Sequence, residues 1–431
     1  MYTRGDPVSA LDADIAVLGG GIAGASTAFH LAARQRRVVL LERGAIASGA
    51  SGVNAGAIES IGWGHAPDLQ AHLTAGSVEL FEQLARDCDF DIELRQSGGL
   101  QAIQTPEQYD FARDRVRALA ERGHEIELLT AREAMRIEPA LSPSLLGATY
   151  SRLRANADPV LATRAFAALA ARTGARILTG HEVTAIEPRR DGWTVRAADV
   201  ELVAPNIVIA AGAWSGALGG LLGLDIPIVP VRGQMWATAS LPPRVFQTVS
   251  AYESTLTWAR ERAVAQARAD AGARGPTATV GEPPDLTHRG NARVTRHLYG
   301  RQRQNGEVIF GGDRELAGWS TTPAPDGIAV NRAHAAEILP FLREISTART
   351  WGGLMPFTLD GAPLIGRVPG RDGVWIVSGL ASSGFGRGPM AGKLLADALV
   401  TGASASVLAS ADPARCVREA VGSLTTRARA R

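Results

Sequence analysis

Apolar and polar positions repeat along this chain in both helical and strand-like periods, and their order predicts a mixed α/β protein. The apolar run Asp14 to Leu18 opens directly onto Gly19, Gly20, Gly21, Ile22, Ala23 and Gly24, and the helical stretch Ala25 to Arg34 follows. A second apolar strand, Val38 to Leu41, ends in Glu42. Helical periodicity returns over Ala71 to Arg86 and Pro106 to Arg122, with Gly123 as a C-cap, and over Asp158 to Arg172, which has Pro159 at its first position and Gly174 closing it. Between the first two, Ile92 to Thr105 alternates as a strand. Short strands are expected over Ala175 to Leu178, Val183 to Glu187 and Trp193 to Ala197, and Glu201 to Ala204 with Asn206 to Ala210 is expected to rebuild the first sheet. Val374 to Ser378 reads as a buried strand that opens onto Gly379, Ser382, Ser383, Gly384, Phe385 and Gly386, before a helix over Met390 to Val400.

The first glycine-rich junction carries chemistry. Gly19, Gly21 and Gly24 stand in G-x-G-x-x-G spacing between a strand and a helix: the first permits a tight turn, the second lets backbone approach a pyrophosphate, the third allows close helix packing. The helix N-terminus then faces the phosphates. Glu42 lies roughly 20 residues beyond the glycines, where a carboxylate accepts hydrogen bonds from ribose hydroxyls and disfavours a ribose 2′-phosphate. Arg43 follows, and then the small-residue segment Ser48 to Ala57, whose side chains would let backbone lie close to a large flat ligand. A second glycine-rich strand-to-helix junction near the C-terminus implies that the nucleotide domain is assembled from separated segments.

Length and charge narrow the function. A chain of 431 residues suits two intimate domains. Lys and Arg at 45 against Asp and Glu at 43 give a formal charge of +2, without the basic stripe that nucleic-acid binding needs. The apolar runs are too short to span a bilayer, and Met1 to Asp14 is mostly polar or small, which predicts a cytoplasmic protein. Cys88 and Cys416 read as reduced thiols and suggest no metal site. Residues 251–290 mix a short helix over Thr257 to Ala271 with several Gly and Pro, and are expected to form a surface insertion. The 416–431 tail, with Arg427, Arg429 and Arg431, is expected to be solvated.

Seven ordered motifs carry a family resemblance: the glycine fingerprint with Glu42 and Arg43; GASGVNAG, Gly49 to Gly56; SGGL, Ser97 to Leu100; AAGAW, Ala210 to Trp214; PVRGQMW, Pro230 to Trp236; WGGLMPFTLDGAPLIG, Trp351 to Gly366; and GLASSGFGRGP, Gly379 to Pro389. From Asp14 to Gly402 the chain resembles the D-amino-acid oxidase family of flavoproteins, which includes glycine and sarcosine oxidases and the catalytic subunits of opine and hydroxyproline dehydrogenases. The resemblance implies a Rossmann-like FAD-binding domain in discontinuous segments, 10–88, 147–225 and 350–415, with an inserted antiparallel-sheet α+β substrate domain, 89–146 and 226–349. It implies that Gly19, Gly21, Ile22, Ala23 and Gly24 hold the pyrophosphate, that Glu42 takes the adenosine ribose, that Arg43 belongs to the same cofactor site, and that Val183 meets the adenine by backbone. Ser51, Gly56, Ala57, Ala211, Gly212, Gly353, Gly384, Phe385 and Gly386 fall where the family lines the phosphates and the flavin ring. Cys88, Cys416 and His65 match no tethering position, so the FAD is expected to be non-covalent.

Two positions depart from the family. Met355 stands where glycine oxidase and simple amino-acid oxidases place the arginine that clamps a substrate carboxylate, and Ser383 stands where many relatives carry histidine. Arg301, in the run Leu298 to Gln302, is the first candidate for a substitute anchor and Arg387 the second, while Arg232 is expected to serve structure. Tyr252, Tyr299 and Trp351 are candidate pocket walls. The implied reaction is oxidative dehydrogenation of a C–N bond in a small amine or amino acid, of the D-amino-acid, N-substituted or opine class, with hydride passing to flavin N5 and the imine product hydrolysing. The acceptor would be oxygen or an electron-transfer protein. Two other readings remain at this point: a catalytic subunit of a hetero-oligomeric dehydrogenase, and a tRNA-modifying flavoprotein.

Overall fold

The computed structural model describes residues 9–58, 67–257, 259, 288–289, 292–293 and 297–420. His65, the helix expected over Thr257 to Ala271 beyond residue 259, most of the 251–290 insertion and the three tail arginines lie outside the described residues. The chain divides into two compact units, one formed by Met1–Gly52, Val160–Val229 and Pro356–Arg431, the other by Val53–Pro159 and Pro230–Met355. Residues 53–88 and 147–159, expected with the nucleotide sheet, group with the second unit.

The first unit is built on a six-stranded sheet in the order Leu364–Arg367, Val374–Ser378, Asn206–Ile209, Ile15–Leu18, Val38–Glu42, Arg176–Thr179. All neighbours run parallel except the antiparallel edge pair Leu364–Arg367 with Val374–Ser378. Strands buried on both faces are why the sequence shows unbroken apolar runs here. A second sheet, in the order Ser9–Asp12, Val200–Ala204, Gly192–Ala197, Val183–Arg189, packs Val195, Leu202 and Ala204 into the same core as Leu18, Ile207 and Ile376. Residues 201–204, expected to rejoin the nucleotide sheet, instead pair with Trp193 to Arg196. Pro205 sits at the changeover, where its missing N–H ends one ladder and the chain steps to the next sheet.

The second unit carries an eight-stranded sheet in the order Arg349–Thr358, Ile228–Ser240, Glu307–Gly311, Tyr299–Gln302, Thr248–Ala251, Gly99–Ile103, Gly147–Ser151, Glu127–Thr130. Thr248–Ala251 runs parallel to Gly99–Ile103, and the pairs on either side of it are antiparallel. Alternation divides the two faces. Trp236 and Phe310 join Leu100, Ala335 and Ile338 in a core under the helix Pro325–Ile338, while Met235, Ala237 and Ile309 face the opposite way with Ala55, Tyr299 and Trp351. The strand expected over Ile92 to Thr105 forms only at Gly99–Ile103, because Glu93 and Gly98 take positive φ, 54° and 84°, and turn the preceding backbone out of the ladder.

Candidate cofactor and substrate site

In the first unit the strand Ile15–Leu18 turns into the helix Ile22–Ala32 through glycines that nothing larger could replace. Gly19 has φ 123°, a Cβ on it would lie 2.4 Å from the Ala210 carbonyl oxygen, and a Cβ on Gly24 would lie 2.0 Å from that of Gly19. The helix is thereby pressed onto the turn, and its N-cap residue, Gly21, brings no side chain to its open amides. One of them is satisfied from a distance: the Ile22 amide donates to Ser51 Oγ at 2.9 Å. Glu42, at the end of the neighbouring strand, accepts from the Gly20 amide through Oε2 and from the Gly44 amide through Oε1, both at 2.7 Å. Those bonds aim the carboxylate and leave further lone pairs for hydroxyl donors. The Arg43 guanidinium lies 3.8 Å from the centre of the Trp214 ring, which belongs to the turn Gly212–Trp214 after Asn206–Ile209. The His181 amide donates to the Glu42 carbonyl at 2.9 Å, which brings the start of the strand Val183–Arg189 toward the same strand end.

The second junction lies in the same unit. The strand Val374–Ser378 leads through Ala381–Ser383 into the helix Gly384–Thr401, which begins six residues before the expected Met390 and keeps Pro389 inside it. Its glycines hid the first turns from a propensity reading, yet Gly388 and Gly392 are what seat it. A Cβ on Gly388 would stand 2.7 Å from Ile22 Cγ2, and one on Gly392 would stand 2.7 Å from the Ala23 carbonyl oxygen. Ser26 Oγ donates to the Pro389 carbonyl at 2.7 Å across the same crossing. The four-residue spacing of Gly388 and Gly392 was the signal available in the sequence. The crossing sets the N-terminal turns of both helices side by side, with their positive ends together. Ser383 takes the N-cap position of the second helix, half-buried, and Phe385 and Arg387 are buried in its first turns.

These groups fit a dinucleotide: backbone that approaches closely, clustered helix N-termini for phosphate, and a fixed carboxylate for ribose.

In the second unit, Arg301 is 1% exposed. Its Nε donates to the Ala55 carbonyl at 2.6 Å and its Nη2 to the Ala157 carbonyl at 3.0 Å, while Nη1 has no partner. Burial, with Arg303 nearby, pulls the guanidinium down to about 10. Trp351 Nε1 donates to the Val53 carbonyl at 2.8 Å, and a Cβ on Gly353 would lie 2.2 Å from Val53 Cγ2. Tyr299, Trp351 and Ala55 are thus brought together, and Met355 lies against Gly233, whose Cβ would stand 3.1 Å from its Cε. Tyr252 is placed elsewhere, with Ile103, Ala112 and Phe111, where burial pushes its phenol up to about 12. Arg232 pairs with Glu315, and Gln234 Nε2 donates to Asp313 at 2.8 Å and to Glu315 at 3.2 Å in a buried network. Among the described residues no group of His, Cys, Asp and Glu is arranged to hold a metal ion, and no single helix is long and apolar enough to cross a membrane.

A glycine turn of dinucleotide type with a fixed carboxylate at the next strand end, joined in one unit to a second glycine-rich helix start, defines a nucleotide-binding unit. Residues 14–270 and 257–398 match the family described as FAD dependent oxidoreductase (DAO), and the chain belongs to that family, with FAD as its cofactor. It is similar to the glycine oxidase of Pseudomonas putida, 28% identical over 398 residues that cover 90% of this chain and 94% of the relative. The mitochondrial dimethylglycine dehydrogenase of Mus musculus is 25% identical over 94% of this chain and 44% of its own length. The crystal structure of glycine oxidase from Geobacillus kaustophilus shares the fold with a TM-score of 0.78 at 25% identity, over 94% of this chain and 99% of that one.

Proposed function

We propose that this enzyme oxidises a C–N bond of a small amino acid or N-substituted amino acid, and that its FAD is held without a covalent bond. The observation that carries the reading is the Glu42 carboxylate, fixed by the Gly20 and Gly44 amides beside a helix whose first amide is held by Ser51. Similarity to a glycine oxidase and a dimethylglycine dehydrogenase supports the substrate class. The turn and helix start at Gly19, Gly21, Ile22, Ala23 and Gly24 would hold the pyrophosphate and Glu42 the ribose, with Arg43 and Val183 toward the adenosine end. Ser51, Gly56, Ala57, Ala211, Gly212, Gly353, Gly384, Phe385 and Gly386 would line the phosphates and the ring. When bound, FAD supplies the acceptor for the hydride on the carbon beside nitrogen.

The chain's own task is to bind the amine unprotonated, hold that carbon in place and exclude water. Tyr299 and Trp351, which pack with Ala55, are candidates for the wall that does this, and Ser383 and Arg387, in the first turns of the helix that carries Phe385, are further candidates to meet the substrate. With Met355 a thioether, a carboxylate clamp at that position is replaced by an apolar contact, which favours substrates with an apolar N-substituent over glycine itself. The released imine hydrolyses in water to a carbonyl compound and an amine.

Anaerobic addition of glycine, sarcosine, dimethylglycine, iminodiacetate, D-amino acids and L-proline to the yellow protein tests the reading. Bleaching of the flavin band by an N-substituted amino acid is expected, and a protein that carries no flavin, or whose flavin none of these reduces, would overturn it. Acid precipitation should leave the yellow colour in the supernatant. Peroxide formation in air identifies oxygen as the acceptor, and its absence points to an electron-transfer protein.

A further inference from the structure

A guanidinium 1% exposed and free of any carboxylate hydrogen bond is costly to bury, so its two bonds need a purpose. Both go to backbone carbonyls on the two sides of one small ribbon. Ala57–Ile58 pairs antiparallel with Ala155–Asn156, and the Ala157 amide donates back to the Gly56 carbonyl at 3.0 Å. Arg301 bonds Ala55, two residues before one strand, and Ala157, directly after the other, and so closes that ribbon at its end. The fit is tight: a Cβ on Gly56 would stand 1.9 Å from the Ala157 carbonyl oxygen and 3.2 Å from Arg301 Nη2. Two residues earlier, the Trp351 indole takes the Val53 carbonyl at 2.8 Å. Alternate carbonyls of the 53–57 stretch, Val53 and Ala55, are therefore held by two side chains from separate strands of the eight-stranded sheet. Within the stretch, the Gly56 amide donates to Asn54 Oδ1 at 2.7 Å, so its turn is fixed internally as well.

We propose that Arg301 is a positioning residue: it clamps the 53–57 stretch against Ala155 to Ala157, and through that stretch sets how FAD is held and how fast it is reduced, rather than gripping the substrate's carboxylate. The inference rests on the reading that this stretch lines the flavin. A clamp on backbone and an anchor for substrate have opposite kinetic signatures. Loss of a clamp displaces the stretch and alters cofactor affinity and the rate of reduction, with substrate affinity little changed. Loss of an anchor raises the substrate constant and leaves the cofactor as it was.

The test compares Arg301→Lys, Arg301→Gln and Trp351→Phe with the parent protein, reading the FAD dissociation constant, the visible absorption and circular dichroism of the bound flavin, and anaerobic reduction by the best substrate. Both Arg301 variants should bind FAD about tenfold or more weakly, since neither the single ammonium of lysine nor the shorter neutral amide of glutamine reproduces the fork that spans the Ala55 and Ala157 carbonyls. Their flavin bands should shift, their limiting reduction rate should fall, and their substrate constant should stay within about threefold. Trp351→Phe removes the bond to Val53 together with part of the ring, and should weaken FAD binding in the same direction but less far; if the Arg301 variants do not fold, an FAD affinity and flavin spectrum unchanged in Trp351→Phe would overturn the claim that the held stretch sets cofactor binding. A substrate constant raised about a hundredfold over an unchanged flavin spectrum, or no change in any readout, would overturn the proposal. Glu42→Ala, made in parallel, separates the two ideas: if it too leaves FAD binding untouched, the nucleotide reading has failed, and if it alone weakens binding, only the clamp has.

Discussion

Glu42 and Gly20 face each other across the nucleotide turn, the carboxylate Oε2 accepting from the glycine amide at 2.7 Å. The bond joins the end of one parallel strand to the turn after the next, and Gly44 completes it on the other oxygen. Glu42→Ala should orphan both amides and remove the carboxylate proposed to hold the ribose. An increase in the FAD dissociation constant of tenfold or more is expected, as about 1.4 kcal/mol per lost charge-assisted bond implies. Fluorescence titration of the apoprotein with FAD measures it.

Gly392 lies where the helices Ile22–Ala32 and Gly384–Thr401 cross, with its Cβ position 2.7 Å from the Ala23 carbonyl oxygen and 2.8 Å from the Thr27 amide. Gly392→Val should force the helices apart, cost about 1–3 kcal/mol and loosen FAD. Gly220→Ala, in the helix Ser215–Leu221 with nothing within 4 Å of its Cβ position, should be neutral or stabilise by about 0.5–1 kcal/mol. Calorimetric melting of both variants tests the contrast, and equal effects would show that the crossing is not tight.

His30 is buried on the helix Ile22–Ala32, and burial, with Arg34 and Lys393 nearby against Asp397, pulls its imidazole from 6.5 down to about 3. The unfolded chain takes up a proton below about pH 6.5 and the folded protein does not until about pH 3. This contribution to stability is therefore present above pH 6.5 and lost as pH falls toward 3. Between pH 6.5 and 5 the loss is about 2 kcal/mol. His30→Leu should flatten that part of the stability profile, measured by urea unfolding at pH 5 and pH 7.5. A variant with the parent's slope would assign the pH dependence to other groups.

Arg232 and Glu315 form a buried pair, 10% and 8% exposed at their side chains. Arg232→Met should destabilise the protein by about 3–5 kcal/mol, because Glu315 stays buried without its counter-charge. Adding Glu315→Leu to it should recover part of that loss. If the double variant melted no higher than the single one, the pair would not be coupled.

The strand, glycine turn and helix around Gly19 to Gly24 were legible because each step is local: four apolar residues in a row, three glycines in fixed spacing, a carboxylate at the next strand end. The same is true of the motif at Gly379 to Pro389, although the first turns of its helix were not, since glycines at 384, 386 and 388 and Pro389 argue against a helix until a partner helix packs on them. Residues 201–204 misled for the opposite reason. Their apolar pattern suits either sheet, and only pairing with Trp193 to Arg196 decides which one they join.

The candidate site divides in the same way. Glu42 declared itself by position in the chain, whereas the partners of Ser51 and Arg301 lie 29 and up to 246 residues away and left no periodic trace. Tyr252 and Tyr299 look alike in sequence, yet one packs beneath a helix with Phe111 and the other faces Ala55 and Trp351. Sequence by itself determined the cofactor class and the family, because nucleotide recognition is written in backbone-permissive residues at short spacing. Tertiary structure alone decided which buried charges hold backbone and which tyrosine packs with Ala55 and Trp351, because those contacts depend on strand register and sheet face.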